Sequence, residues 1–216
     1  EAYGNGIYAY GNITVSGEGT LNIAADYGIY TSGGNVTIEG GELTINAEEY
    51  GIWAYDGNVT IEDGELTINA VEYGIHVSDG NVTIEKGTTK ITVSGEASTG
   101  ISAYNYEDSN GNVIIEGGTI EITALNDESY GIYAYGEIDI SDGKIKIASS
   151  YDSISTSDEG DITISGGTIE ITSGYDGIYA YNGDITIKGS TIEITAHNGI
   201  NAPRGKVTIK GRDTNI

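Results

Sequence analysis

Short runs of β-branched residues alternate apolar and polar positions along the whole chain, and glycine-rich segments separate them. Alternation at period two predicts half-buried strands. An amphipathic helix would instead place apolar residues three and four apart over about a dozen positions. The alternation also repeats. Gly-Ile recurs at Gly6-Ile7, Gly28-Ile29, Gly51-Ile52, Gly74-Ile75, Gly100-Ile101, Gly131-Ile132, Gly177-Ile178 and Gly199-Ile200, and Ser153-Ile154 fills the one gap, which makes nine units of about 23 residues. A second apolar pair follows each, as in Val36/Ile38, Val59/Ile61 and Ile162/Ile164, and then a third, as in Leu43/Ile45, Leu66/Ile68 and Ile169/Ile171. Each unit therefore reads as three short strands, with corners such as Glu39-Gly40-Gly41-Glu42 supplying the bends.

A fixed period favours stacked coils over hairpins, because stacking sets Ile on Ile and Val on Val and buries a core that no single coil buries alone. The expected fold is all-β: a right-handed parallel β-helix of nine coils with a triangular section, one solenoid domain over residues 1–216. At ~4.8 Å per strand the rod is about 40 Å long. Insertions are expected at Gly95 to Thr99, Tyr106 to Asn110 and Asn126 to Ser129.

Outward positions repeat as well, so side chains stand in files along the rod. After each Ile come Tyr8, Tyr30, Trp53, His76, Ser102, Tyr133, Ser155, Tyr179 and Asn201; two residues on come Tyr10, Ser32, Tyr55, Ser78, Tyr104, Tyr135, Ser157, Tyr181 and Pro203. A flat aromatic strip with hydroxyl edges suits sugar rings, and Tyr8, Tyr30, Trp53, Tyr55, Tyr133, Tyr135, Tyr179 and Tyr181 are the candidate carbohydrate-binding residues. The same file also reads as a ladder that covers and stiffens the sheet. A threonine file, Thr14 through Thr208, suits a flat ice-binding face but follows equally from β propensity. Glu39, Glu62, Glu85 and Glu116 form an acidic corner file, where calcium would relieve like-charge repulsion; a solvated acidic edge explains it too. Glu107/Asp108 and Asp127/Glu128 offer a second place for a metal. Asn12, Asn35, Asn58 and Asn81 each begin an Asn-Xaa-Thr sequon, but the corner itself also selects Asn.

Composition narrows the partners. With 33 acidic and 9 basic residues the chain carries a formal charge of −24, which repels nucleic acid and anionic membrane. It has no Cys, so disulfides and thiolate metal sites are excluded, and no apolar run approaches the ~20 residues of a membrane span. The basic residues lie mostly toward the C-terminal end and His76 and His197 fall far apart, so catalysis is not expected.

The phrases Ile164-Ser165-Gly166-Gly167-Thr168-Ile169, Ser173-Gly174-Tyr175-Asp176-Gly177-Ile178 and Gly183-Asp184-Ile185-Thr186-Ile187 continue as Thr191-Ile192-Glu193-Ile194-Thr195-Ala196 and Asn198-Gly199-Ile200-Asn201-Ala202. They resemble the calcium-binding, carbohydrate-binding right-handed β-helix proteins of bacterial cell surfaces, which share the fold of polysaccharide lyases. The resemblance implies an extracellular, cell-surface location, calcium as a cofactor, and Asp176 and Asp152 among its ligands. Tyr27, Tyr50, Tyr73 and Tyr130 hold that position in other coils, a departure from a full calcium ladder. Two functions follow as expectations. One is a structural subunit stacking head to tail into a surface fibre: the chain shows no capping unit, and Arg204, Lys206, Lys210 and Arg212 at its end face Glu1 and Glu18 at its start. The other is a monomeric, calcium-dependent module that binds polysaccharide.

Overall fold

A strand of three residues such as Val36–Ile38 holds its place only if strands above and below complete its hydrogen bonds and cover its side chains. The computed structural model describes residues 4–105, 111–157, 159–210 and, as backbone, 213–215, and between its first and last turns each described strand is completed in this way. Ile13–Val15, Val36–Ile38, Val59–Ile61, Val82–Ile84 and their successors pair in parallel as one nine-stranded sheet, one strand per turn. The chain is thus a β-solenoid of about nine turns, numbered here by the successive Gly-Ile steps, with Ser153-Ile154 as the seventh.

The remaining two strands of each turn belong to a second, sixteen-stranded sheet. It wraps a corner because two of the expected strand breaks are absent: Thr20–Thr31 and Glu42–Ala54 run from the third strand of one turn into the first strand of the next. No glycine stands at those corners, where the sequence is Ala24-Ala25-Asp26 and Asn46-Ala47-Glu48. An irregularity between Ala25 and Tyr27 makes the bend instead.

Registers match like with like. Ile29 pairs with Ile52, Ile52 with Ile75 and Ile75 with Ile101, and all four are fully buried. The bore is so narrow that the glycine before the Ile is a packing requirement at most turns, the seventh having Ser153 there. A Cβ on Gly51 would lie 2.3 Å from Ile68 Cγ2 and 2.5 Å from the Gly74 carbonyl oxygen. At another corner the sequon asparagines bond turn to turn: Asn12, Asn35 and Asn58 Oδ1 accept from the backbone N–H of Asn35, Asn58 and Asn81 at 2.9, 2.9 and 2.8 Å. Asp161 and Asp184 do the same farther along. Ala97 and Glu128, both at positive φ, lie in two of the expected insertions, and the Ala97 N–H bonds the Asp127 carbonyl of the turn beyond at 2.8 Å. The third insertion, residues 106–110 with Glu107 and Asp108, lies outside the described residues. On the first and last described turns Leu21, Val207 and Ile209 are exposed.

Candidate functional site

The Gly-Ile strands place their outward residues on consecutive rungs. Tyr8 pairs with Tyr30, Tyr30 with Trp53, Trp53 with His76, His76 with Ser102, Ser102 with Tyr133, Tyr133 with Ser155 and Ser155 with Tyr179. Backbone bonds from Tyr55, Tyr135 and Ser157 to the preceding turn hold the neighbouring file, which includes Tyr181, in the same succession. All eight candidate aromatic residues therefore lie on one face. A third file joins them: Tyr27, Tyr50 and Tyr73 stand in register two residues before the Ile.

Over the first four turns these rings do not form the flat strip that the pattern predicts. Tyr8 and Tyr30 lie 5.3 Å apart at 22°, Tyr30 and Trp53 4.7 Å at 28°, Tyr27 and Tyr50 5.4 Å at 20°, and Tyr50 and Tyr73 5.0 Å at 8°. Rings side by side in one plane would be held farther apart by their own edges, so these rings stack face on face along the rod. Strand spacing of ~4.8 Å imposes this, since it is too narrow for an aromatic ring to lie flat on every rung. Their faces are consumed by one another, and the ladder turns edges and hydroxyls outward. Polar atoms are tied in as well: Tyr27 donates to Glu49 at 2.6 Å and Trp53 Nε1 to Ser78 Oγ at 2.9 Å. Burial pushes the Tyr50 phenol up, with Glu72 adding to the effect, and lowers His76 to about 4.

The seventh turn breaks this order. There serine replaces tyrosine in both files, Ser155 between Tyr133 and Tyr179 and Ser157 between Tyr135 and Tyr181. In the same turn and the next, the tyrosine before the Ile moves one residue earlier, to Tyr151 and Tyr175, which stack at 5.1 Å and 5°. Asp152 and Asp176 take the vacated places. The result is a slot of about 500 Å³ walled by Tyr133 and Tyr179, with Tyr151 and Tyr175 at its flank and Ser155, Asp152 and Asp176 in its lining. Two strand spacings, about 10 Å, separate Tyr133 from Tyr179, and the residues at the base between them are shut off from water.

The floor of the slot is polar and incompletely satisfied. Asp152 Oδ1 accepts from the Asp176 N–H at 3.1 Å, and Asp176 Oδ2 accepts from Asn201 Nδ2 at 3.0 Å. Asp176 Oδ1 and Ser155 Oγ, on residues 0% and 1% exposed, have no partner. Burial raises Asp152 to about 7, reinforced by the Asp176 charge and opposed by the hydrogen bond from Asp176. Tyr130, beside it, is pushed up by burial and then by Asp152. The sequence pattern marks Tyr133 and Tyr179 but passes over Ser155 and Ser157; the signal for the slot is a gap in two files at one turn.

The candidate calcium ligands do not gather into one cluster among the described residues. Among the described residues no three His, Asp or Glu side chains converge on one point. Glu39, Glu62, Glu85 and Glu116 do follow one another at a corner, through N–H bonds to successive turns, but three of the four are exposed and solvated. Asp152 and Asp176 together fall short of the six to eight oxygens that calcium takes.

Comparison with known proteins bears on the aromatic face. The profile of a family described as carbohydrate-binding domain-containing protein matches residues 2–109 and again residues 93–215. The chain belongs to this family. The two matches overlap, as expected of a chain that repeats one pattern from turn to turn. No curated protein and no solved structure matches the chain. Among the described residues no helix is long and apolar enough to cross a membrane.

Proposed function

We propose that the chain is a non-catalytic polysaccharide-binding module of the cell exterior, and that it takes one sugar ring into the slot at the seventh turn. The observation that carries this reading is the empty rung: Ser155, with an unpartnered buried hydroxyl, stands where a ring would otherwise bridge Tyr133 and Tyr179. A pyranose there would lie among the tyrosine rings of the slot, and it would reach the buried floor atoms only if those rings part. Family membership supports the same conclusion.

The test is Ser155→Tyr, which restores the ladder. Binding to soluble polysaccharides, followed by affinity electrophoresis and calorimetry, should weaken at least about tenfold, or ~1.4 kcal/mol, with an unchanged circular dichroism spectrum. Undiminished binding by this variant would rule the slot out.

A further inference from the structure

In the file two residues beyond Tyr8, Tyr30 and Trp53, tyrosine alternates with serine over five turns: Tyr10, Ser32, Tyr55, Ser78 and Tyr104. Backbone bonds from Ser32 to Ala9, Tyr55 to Thr31, Ser78 to Ala54 and Tyr104 to Val77 set them on consecutive rungs. Tyrosine therefore recurs at every second rung, ~9.6 Å apart. With serine on the rungs between, these rings do not stack within their own file. The planes of Tyr10 and Tyr55 lie at 64° to Tyr8 and 72° to Trp53, so they run more along the rod than across it, where the ladder rings stand. Tyr10 is 79% exposed and Tyr55 54%, and a ring that open keeps a face free for a ligand. Beyond Tyr55 the rung that carries Ser78 in place of a ring leaves a cavity of about 540 Å³, with Trp53, Tyr55, Asp56, Ser78, Asp79 and Tyr104 in its lining. Ser78 Oγ accepts from Trp53 Nε1 at 2.9 Å and so fixes the indole. Asp56 and Asp79 are exposed, and their carboxylates accept from the hydroxyls of a ligand without being uncovered first.

We infer that these five turns carry a second glycan site, separate from the seventh-turn slot, in which an extended neutral polysaccharide lies along the rod. One sugar residue stacks on Tyr10 and the next but one on Tyr55. The residue after that enters the cavity over Ser78, where Asp56 and Asp79 accept from its hydroxyls. The inference rests on the polysaccharide-binding reading above and adds a ligand class to it: chains that turn over at every link, so that every second residue presents the same face, as β-1,4-linked hexose chains do. Two residues of such a chain span about the two rungs between Tyr10 and Tyr55, so its repeat and that of the rod keep step. Exposed carboxylates and a formal charge of −24 turn acidic polysaccharides away.

The experiment titrates the whole chain with mannohexaose and cellohexaose, both β-1,4-linked, and with laminarihexaose, which has the glucose units of cellohexaose in β-1,3 linkage. Trp53 is the single tryptophan and lines this cavity rather than the seventh-turn slot, so its fluorescence reads this site alone while calorimetry reads both. The β-1,4 hexaoses should shift the fluorescence, with an affinity at least tenfold above that of laminarihexaose. Tyr55→Ala should weaken them at least tenfold, and Tyr55→Phe, which keeps the face, should not. Ser32→Tyr adds a ring to this face but breaks the two-rung spacing, and should weaken them as well. Circular dichroism and thermal melting of each variant separate a lost site from a lost fold. Laminarihexaose bound equally well, or Ser32→Tyr binding as tightly as wild type, overturns the inference. Calorimetric binding that Ser155→Tyr abolishes, with Trp53 silent throughout, overturns it and leaves the slot reading standing. Absence of binding by either method overturns both. A fluorescence response that survives Ser155→Tyr but not Tyr55→Ala sustains the inference whatever becomes of the slot.

Discussion

Asp152 is held in a protonation state that its neighbours choose for it. Its folded value of about 7 stands above the ordinary 3.8 because burial penalises the charge and Asp176 repels it. A carboxyl raised in this way binds protons more tightly when folded. Its stabilising contribution is therefore complete below about pH 4 and lost as pH rises through about 7. Asp152→Asn removes the cost of ionisation, so at neutral pH the variant should be more stable by at most ~4 kcal/mol, the value of three pKa units. Urea unfolding of both proteins across this range checks it: the two midpoints should converge near pH 4 and part toward pH 7. A constant difference at every pH would assign the effect to packing. The sequence shows that an Asp stands here where other turns have tyrosine, but its burial, at 4% exposed among the residues that line the slot, is visible only in the folded turn.

At the scale of the element, each strand depends on what lies above and below it, and the glycine before Ile shows how tightly. Gly51→Ala would bring a methyl within 2.5 Å of both a core isoleucine and a neighbouring carbonyl, and should cost ~3 kcal/mol in chemical unfolding as an overpacked core site. The corner asparagines are more forgiving. Asn58→Ala leaves the Asn81 N–H without its 2.8 Å acceptor at a partly hydrated edge, and a loss of about 1 kcal/mol is expected with the denaturant slope unchanged. The strands and their inward residues are legible in the sequence because one dipeptide, Gly-Ile, recurs at nearly every turn and fixes the register of everything after it. The two strands that run through corners are not legible, since Ala24-Ala25-Asp26 carries no turn signal and no break signal either. Ring orientation was hidden for a different reason: alternation places Tyr30 and Trp53 outward, but only the 4.7 Å between their centres dictates that they stand on edge.

Across the whole molecule the excess of negative charge is spread over stacked turns, with ion pairs such as Lys146–Glu170 at 2.6 Å exposed and of small worth. Self-repulsion should yield to screening, so the melting temperature is expected to rise from low to about 0.15 M sodium chloride. A melting temperature independent of salt would mean that the charges are already balanced locally. The aromatic face is organised by subtraction. The slot at the seventh turn exists because that turn carries serine in both files. A site of that origin has an address rather than a shape of its own, and the address can be rewritten. Ser32 already stands between Tyr10 and Tyr55, so Tyr30→Ser alone would set a serine pair between Tyr8/Tyr10 and Trp53/Tyr55, the arrangement that Ser155 and Ser157 have now. The rod would then carry two ports five turns apart, about 24 Å. The new one would have Tyr27 where the old one has Asp152, a port lined by a phenol in place of a buried carboxyl.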